Sequence, residues 1–280
     1  MDVMTALWMA VPAVVLAHAA VCDLRTREVP DWHWAAIGLI GPILCLLSVQ
    51  GLSVCVLLVS VMLTVCMLSE RLDGFRAVPV IVASAVLMSV PVFTEDSGWT
   101  RYAGLSVLAM YLLFYAMYFT GLLRGGADAK CLMSLALAFP VYPVSDPLPL
   151  LWVMDQPESL VANLSMSVLV VSLALSLSSV FYVLCVNLRQ GHRGRRMLTA
   201  FPMDVGRARM AFVWPVERVA DGEKVPSRDY DSKERILDEL EAAGIERVMV
   251  TPMIPFVLPV AVSFAVVVVL GSPMAPLLSV

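Results

Sequence analysis

The sequence predicts an all-α polytopic membrane protein with about eight transmembrane helices (six to eight) and a small α+β cytoplasmic domain before the last helix. Of its 280 residues, 60% are hydrophobic and only 15% are charged, and the mean hydropathy is +0.84. A soluble domain of this size could not bury so much apolar surface. Polar residues are concentrated in 187–252, whereas apolar runs fill most of the remaining chain.

The apolar runs are the predicted spans, because about 20 such residues cross a bilayer as a helix. They also divide the chain into a transmembrane domain (1–186), a cytoplasmic soluble domain (187–252), and a C-terminal helix with a short external tail (253–280). Prolines within the runs make the span boundaries loose. The predicted spans are 5–22, 34–49, 53–68, 78–93, 102–120, 130–143, 160–186 and 254–270.

The distribution of basic residues predicts the orientation in a cell membrane, since Lys and Arg accumulate beside spans on the cytoplasmic side. With the N-terminus outside, every one of the 19 Lys and Arg residues except Arg101 falls in an inside loop. Both termini are therefore predicted to lie outside. Asp23, Asp128 and the segment 187–252 are predicted to share the cytoplasmic face.

The polar segment has the composition of a soluble domain. It opens with a basic cluster (189–196), which beside a membrane span predicts contact with anionic lipid headgroups. The stretch 231–244 has helical apolar spacing, a capping residue at Asp231 or Ser232, and a glycine at its end. A short strand is predicted at 248–250.

Two carboxylates lie at the ends of predicted spans. Asp23 ends the first span, and Asp128 opens the sixth after Gly125, Gly126 and Ala127. A charge at membrane depth is costly and so marks a functional candidate, although a single one can simply mark a span end. Two carboxylates at one depth can share a proton and activate water, one as general base and the other as general acid. The two glycines would let the backbone before Asp128 turn tightly and approach a substrate or a neighbouring helix closely. The alternative interpretation is a flexible loop between two spans.

Neither a metal site nor a cofactor is predicted. The six cysteines include no CxxC pair and lie within or beside apolar runs, which is typical of small buried hydrophobes. His33 and His192 have no other ligand type at a spacing that indicates metal binding.

Four motifs carry a resemblance to a known family. Asp23-Leu-Arg-Thr-Arg-Glu-Val-Pro-Asp31-Trp32 and Gly125-Gly126-Ala127-Asp128-Ala129-Lys130 resemble the two aspartate motifs of the type IV prepilin peptidases, the second in its G-x-hydrophobic-Asp form. Phe212-Val-Trp-Pro-Val-Glu217 and Val250-Thr-Pro-Met-Ile-Pro-Phe256 look like signatures of the archaeal preflagellin peptidase branch. The motifs extend over most of the chain.

The resemblance implies an intramembrane aspartyl endopeptidase that removes short basic leaders from preflagellins of the archaellum or related prepilins. Asp23 and Asp128 take the catalytic positions, and Gly125, Gly126 and Ala127 take motif positions without chemistry of their own. The expected partners are these substrates and membrane lipids, with no nucleic acid.

Four further charged residues could assist the two aspartates or contact the leader of the substrate. Lys130 could hold Asp128, although a role as a positive-inside anchor is favoured. Glu28, Asp31 and Glu217 could contact a basic leader, although solvated loop charges are the ordinary alternative for each.

The chain also departs from the family. Archaeal relatives typically have fewer spans, so 53–120 looks expanded. Bacterial prepilin peptidases associate methyl transfer with a zinc-binding insert that this sequence lacks, so peptidase activity without methylation is expected.

Two other classes of function stay open. In a proton- or cation-coupled transporter the same aspartates would bind the ion, although such sites usually lie at the bilayer midplane. In a membrane scaffold the aspartates need not approach each other.

Overall fold

The computed structural model describes residues 3–49, 53–69, 74–94, 98–123, 125–152, 163–194, 196–220, 223–227 and 232–278. The predicted cap Asp231, and Arg71, Arg124 and Arg195 of the predicted inside loops, lie outside these residues. The chain divides into two compact units. The first comprises Met1–Leu173 and Pro255–Val280, and the second comprises Ala174–Ile254.

The described chain is mainly helical, with short strands confined to the second unit. A 3-10 turn at Gly74–Ala77 precedes the fourth helix. The helices and strands, in chain order, are α1 (Val3–Thr26), α2 (Trp32–Ser48), α3 (Val54–Leu68), α4 (Val78–Thr94), α5 (Gly98–Phe119), α6 (Gly126–Ala138), α7 (Leu164–Ser176), α8 (Ser178–Arg189), β1 (Phe201–Asp204), α9 (Val205–Met210), β2 (Val213–Pro215), β3 (Glu217–Ala220), β4 (Glu223–Pro226), α10 (Lys233–Ala242), β5 (Arg247–Pro252), α11 (Val257–Leu270) and α12 (Ala275–Leu278).

In the first unit, α2 lies at the centre of the helix packing. It contacts α1, α3 and α6, while α1 also packs on α11 and α5 packs on α4 and α6. Trp8 near the start of α1 donates its indole N–H to the Ala138 carbonyl at the end of α6, at 2.8 Å. The Trp8 ring also stacks on Phe139, with centroids 5.1 Å apart. Since Asp23 ends α1 and Asp128 begins α6, these contacts set the two helices in opposite directions.

Small and hydroxylic residues mediate the closest contacts between these helices. A Cβ at Gly41 in α2 would overlap the Cβ of Ala138 in α6 and would lie 2.9 Å from its Cα. Thr64 in α3 donates its hydroxyl to the Gly38 carbonyl at 3.0 Å. Such residues let helix backbones approach closely, as they commonly do in helical membrane proteins.

The outward face of α4, a further helix of the first unit, is apolar. In α4, Ser84 is fully buried and donates to the Val80 carbonyl at 2.8 Å. The residues that face outward at four-residue intervals are valines, with exposed fractions of 43–63%. They are Val78, Val82, Val86 and Val90.

The prediction of eight spans is not supported. Two helical stretches of the described residues are long and apolar enough to cross a membrane: α1 (Val3–Thr26), and Leu164–Arg189, which comprises α7 and α8. The other apolar stretches found in the described helices are shorter, at 10–17 residues. The 15 residues of α3, for example, rise about 22 Å, against a hydrocarbon core of roughly 30 Å. Soluble core helices and signal sequences can also have this length and composition, so the two helices alone do not define a membrane protein.

The second unit is a small α+β structure, as predicted. Its three-stranded antiparallel sheet has the order β1-β5-β2, and β3 pairs with β4 in a separate hairpin. The predicted strand 248–250 lies within β5, and the predicted helix 231–244 contains α10. Ser232 occupies the N-cap position without a side-chain capping bond. The helix buries its apolar face, consisting of Ile236, Leu237 and Leu240.

Candidate active site

Asp23 lies in the last turn of α1 and is buried, with 8% of its surface exposed. Its Oδ2 accepts a hydrogen bond from the backbone N–H of Val257, the first residue of α11, at 3.2 Å. The first N–H groups of a helix have no partner within the helix, and they favour a negative charge. The start of α11 therefore supplies a donor that stabilises the Asp23 carboxylate.

Asp128 lies in the first turn of α6 and approaches Asp23 from a segment about a hundred residues away. The charge on Asp23 acts on the Asp128 carboxyl, so the two groups lie within electrostatic range of each other. Both carboxyls also act on Cys131, which is fully buried one turn further along α6. The two aspartates and Cys131 therefore converge on one region of the first unit.

The glycines before Asp128 differ in how much space surrounds them. A Cβ on Gly125 would overlap the Asp128 carboxylate, which folds back over this position. At Gly126 the nearest atom to such a Cβ would be Tyr118 Oη, at 4.0 Å. Ala127 is partly buried against the helical core. Gly125 is therefore required by the position of the Asp128 side chain, whereas Gly126 has room for a methyl group.

Lys130 forms an ion pair with Asp31, the residue before α2. Its Nζ lies 2.8 Å from Asp31 Oδ1 and 2.7 Å from Oδ2. The two side chains are 27% and 51% exposed, so the pair contributes on the order of 0–1 kcal/mol to stability. The contact joins the beginnings of α2 and α6. Lys130 thus pairs with Asp31, and the predicted support of Asp128 by Lys130 is not the contact observed.

The other two predicted leader contacts differ in their surroundings. Glu28 is exposed in the turn after α1, where its backbone N–H and carbonyl both bond to the Thr26 hydroxyl, at 3.3 and 3.0 Å. Glu217 belongs to the second unit, where its Oε2 accepts the Met249 N–H of β5 at 3.0 Å. Contacts of Glu28, Asp31 and Glu217 with a substrate stay predictions.

A cleft of about 210 Å³ lies beside α6 in the first unit. It is bordered by three tyrosines of α5 and by Gly126, Ala129, Lys130 and Met133 of α6, which recur at helical spacing on one face. Asp128 and Cys131, one turn apart, lie on a different face of α6 from these four residues. The cleft therefore neighbours the carboxyl pair without containing it. Its tyrosines are Tyr111, Tyr115 and Tyr118.

A second cluster of reactive side chains lies at the turn between α1 and α2. His18 Nδ1 is 2.8 Å from His33 Nε2 and 3.8 Å from Cys22 Sγ. The sequence-based statement that His33 has no other metal-ligand residue to accompany it was therefore wrong. His18 and Cys22 are four residues apart in a helix and so share a face, a signal that the sequence contained. The approach of His33 depends on the turn between α1 and α2, which spacing alone does not reveal.

Comparison with known proteins adds no assignment. No family model matches the chain, and no curated protein matches it. The function therefore has to be argued from the geometry of the carboxyl pair and from the resemblance of the motifs that contain it.

Proposed function

We propose that this protein is a membrane-embedded aspartyl endopeptidase that removes a short basic leader from preflagellin-like or prepilin-like proteins at the cytoplasmic face. The observation that carries the proposal is the convergence of Asp23 and Asp128. Asp23 lies at the C-terminal end of α1 and Asp128 at the N-terminal end of the antiparallel α6, and the charge of Asp23 acts on the Asp128 carboxyl. Both belong to the motifs that resemble those of the prepilin peptidases.

The surroundings of each carboxyl favour different roles. The Val257 N–H bond stabilises charge on Asp23, which makes Asp23 the general base. Asp128 has no such donor among the hydrogen bonds found in the described residues, and its burial, together with the neighbouring charge of Asp23, favours a proton on it. Asp128 is therefore the general acid. The first turn of α6 weakens this distinction, since a helix N-terminus also favours charge, but a direct hydrogen bond to a buried carboxylate is the stronger effect.

The proposed reaction is hydrolysis of one peptide bond. Asp23 takes a proton from water as the water oxygen bonds to the scissile carbonyl carbon. Asp128 gives its proton to the carbonyl oxygen, and a tetrahedral intermediate forms. When the intermediate collapses, the C–N bond breaks and the leaving amine takes a proton from the pair. The hydrolysis needs no cofactor, and the resemblance carries no expectation of methyl transfer.

The distribution of apolar surface supports placement in a membrane. Helix α4 of the first unit buries Ser84 and Met88 and directs Val86 and three other valines outward. In water such an outward apolar surface would favour association or aggregation, whereas in a bilayer it faces lipid. Val3–Thr26 and Leu164–Arg189 are long enough to cross it. The cytoplasmic location of the aspartates follows from the distribution of Lys and Arg.

The cleavage assay that tests the proposal compares matched Asp→Asn variants. Membranes containing the full chain are incubated with a preflagellin that retains its leader, and the product is measured by mass. Wild type should release the leader, and Asp23→Asn and Asp128→Asn should each lower the rate about 10²- to 10⁴-fold. Asp204→Asn, an exposed carboxylate of the second unit that pairs with Arg247, should cleave normally.

Failure in either direction has a clear meaning. Full cleavage by Asp23→Asn or by Asp128→Asn would contradict the proposal that the two aspartates act as a catalytic pair. If wild-type protein, folded in the membrane, cleaved neither a preflagellin nor a prepilin, the peptidase assignment would be wrong. Aspartate-dependent ion uptake by the same membranes would then favour a transporter.

A further inference from the structure

Two of the three histidines and one cysteine meet where α1 turns into α2. His18 and Cys22 lie on one face of α1, and His33 enters from the first turn of α2. The atoms His18 Nδ1, Cys22 Sγ and His33 Nε2 all lie within 4.8 Å of one another. His33 is fully buried, Cys22 is half-buried, and His18 is exposed, so one side of the cluster is not covered by protein.

The hydrogen bonding of His33 sets which of its nitrogens is available. Its Nδ1 lies 2.7 Å from the Pro30 carbonyl, which can only accept, so Nδ1 carries the proton. Nε2 is therefore an unprotonated lone-pair donor directed at His18. A metal-binding histidine is commonly held in this way, with its second nitrogen donating to a backbone carbonyl. Trp32 stacks on the His33 ring with centroids 3.7 Å apart and restricts its rotation.

We propose that His18, Cys22 and His33 bind one transition-metal ion of the zinc class. Imidazole nitrogen and thiolate sulfur are the ligands that Zn²⁺ prefers, and three protein ligands leave a fourth tetrahedral position for water. Tetrahedral zinc, with Zn–N near 2.0 Å, separates two ligand nitrogens by roughly 3.3 Å. The present separation of 2.8 Å is that of a hydrogen bond between the rings. Binding requires the nitrogens to separate by only about half an ångström.

Proton balance follows from the ligand atoms. In the empty site His18 Nδ1–H donates to His33 Nε2. When the ion binds, the His18 proton moves to its Nε2, and the Cys22 thiol releases its proton to solvent as the metal–sulfur bond forms. His33 needs no change, because its Nδ1–H already donates to Pro30. One proton is therefore released for each ion bound.

The position of the cluster indicates what the ion would do. Cys22 directly precedes Asp23, and His33 lies two residues after Asp31. The ion would link the last turns of α1 to the first turn of α2 and restrict the segment that holds Asp23. The ion would stabilise the turn between α1 and α2. Its binding can be measured without any assay of peptidase activity.

The test is a Co²⁺ titration of purified, tag-free full-length protein in detergent. One Co²⁺ per chain should bind with a sulfur-to-cobalt charge-transfer band and the visible bands of a tetrahedral site, and Zn²⁺ should displace it. Cys22→Ser should abolish the charge-transfer band. His18→Ala and His33→Ala should each weaken binding by about tenfold or more. Cys55→Ser and His192→Ala remove the same residue types elsewhere and should leave the spectrum unchanged.

Two further measurements need no folded variant. Zn²⁺ should protect Cys22 of the wild-type protein from alkylation while Cys185, which is exposed in the second unit, still reacts. Zn²⁺ should also raise the unfolding temperature of wild type. Absence of a charge-transfer band, or a band that survives Cys22→Ser, would overturn the proposal, as would equal alkylation of Cys22 with and without zinc. The contact between His18 and His33 would then be a hydrogen bond between two imidazole rings and no metal site.

Discussion

Helices α4 and α10 differ in the side chains that they direct outward. In α4 of the first unit, Ser84 and Met88 are fully buried while four valines face outward. In α10 of the second unit, Ile236, Leu237 and Leu240 are buried and the outward positions are mostly charged. The second pattern is that of a protein surface in water. The first pattern suits an apolar medium. We therefore expect the outward faces of α4 and α10 to contact different solvents.

A charge on an outward position should distinguish the two solvents, and the effect should be the largest of those predicted for a single surface residue. Val86→Arg places a guanidinium near the middle of α4 and should cost about 2.5–3.5 kcal/mol if that face contacts lipid. The measurement is the amount of full-length protein retained in carbonate-washed membranes. Met210→Arg, at an 88% exposed position of the second unit, is the matched control and should retain wild-type levels. Equal recovery of both variants would remove the distinction between the units.

Adding a methyl group should lower the activity at Gly125 of the candidate site but not at the neighbouring Gly126. Gly125→Ala displaces the Asp128 carboxylate, and a displacement of about 1 Å at a catalytic group can lower the rate about 100-fold. Gly126→Ala meets no atom closer than 4.0 Å and should change kcat/KM by no more than about twofold. The measurement is kcat/KM for leader cleavage with both variants expressed to the same level. A larger loss for Gly126→Ala would contradict the position of the Asp128 side chain.

Glycine substitutions outside the site should have opposite signs in the two units. Gly41→Ala forces α2 away from Ala138 of α6 and should destabilise the first unit by about 1–3 kcal/mol. Gly206→Ala lies in α9, where a Cβ would meet no atom within 4 Å, and should stabilise the second unit by about 0.5–1 kcal/mol. Denaturant unfolding of the full chain, followed by circular dichroism, measures both. A neutral or stabilising effect of Gly41→Ala would contradict the packing described for α2 and α6.

The sequence predicted the second unit best, because its signals are local. The apolar spacing of α10 and the short β5 strand follow from neighbouring residues, and the structure contains both. The number of spans could not be counted correctly, because several apolar runs fall short of the about 20 residues that cross a bilayer. The runs 34–49 and 53–68 have 16 residues each, and the corresponding α2 and α3 have 17 and 15.

The candidate site was partly predictable for the same reason. Asp23 and Asp128 stand out as charges in apolar surroundings, so the sequence marks them. Their partners come from tertiary contacts: the Val257 N–H lies 234 residues from Asp23, and Lys130 meets Asp31 across 99 residues. The His33 ring reaches His18 only through the turn between α1 and α2. Such pairs leave no periodic signal in a single sequence.

The most direct test of the central claim is whether Asp23 and Asp128 act as one catalytic unit. Leader cleavage is measured for Asp23→Asn, Asp128→Asn and the double variant, at equal amounts of folded protein in the membrane. A shared dyad predicts that the double variant is no slower than the slower single variant, because either substitution already removes the pair's chemistry. Losses that multiply in the double variant, or a single variant with full activity, would contradict the account.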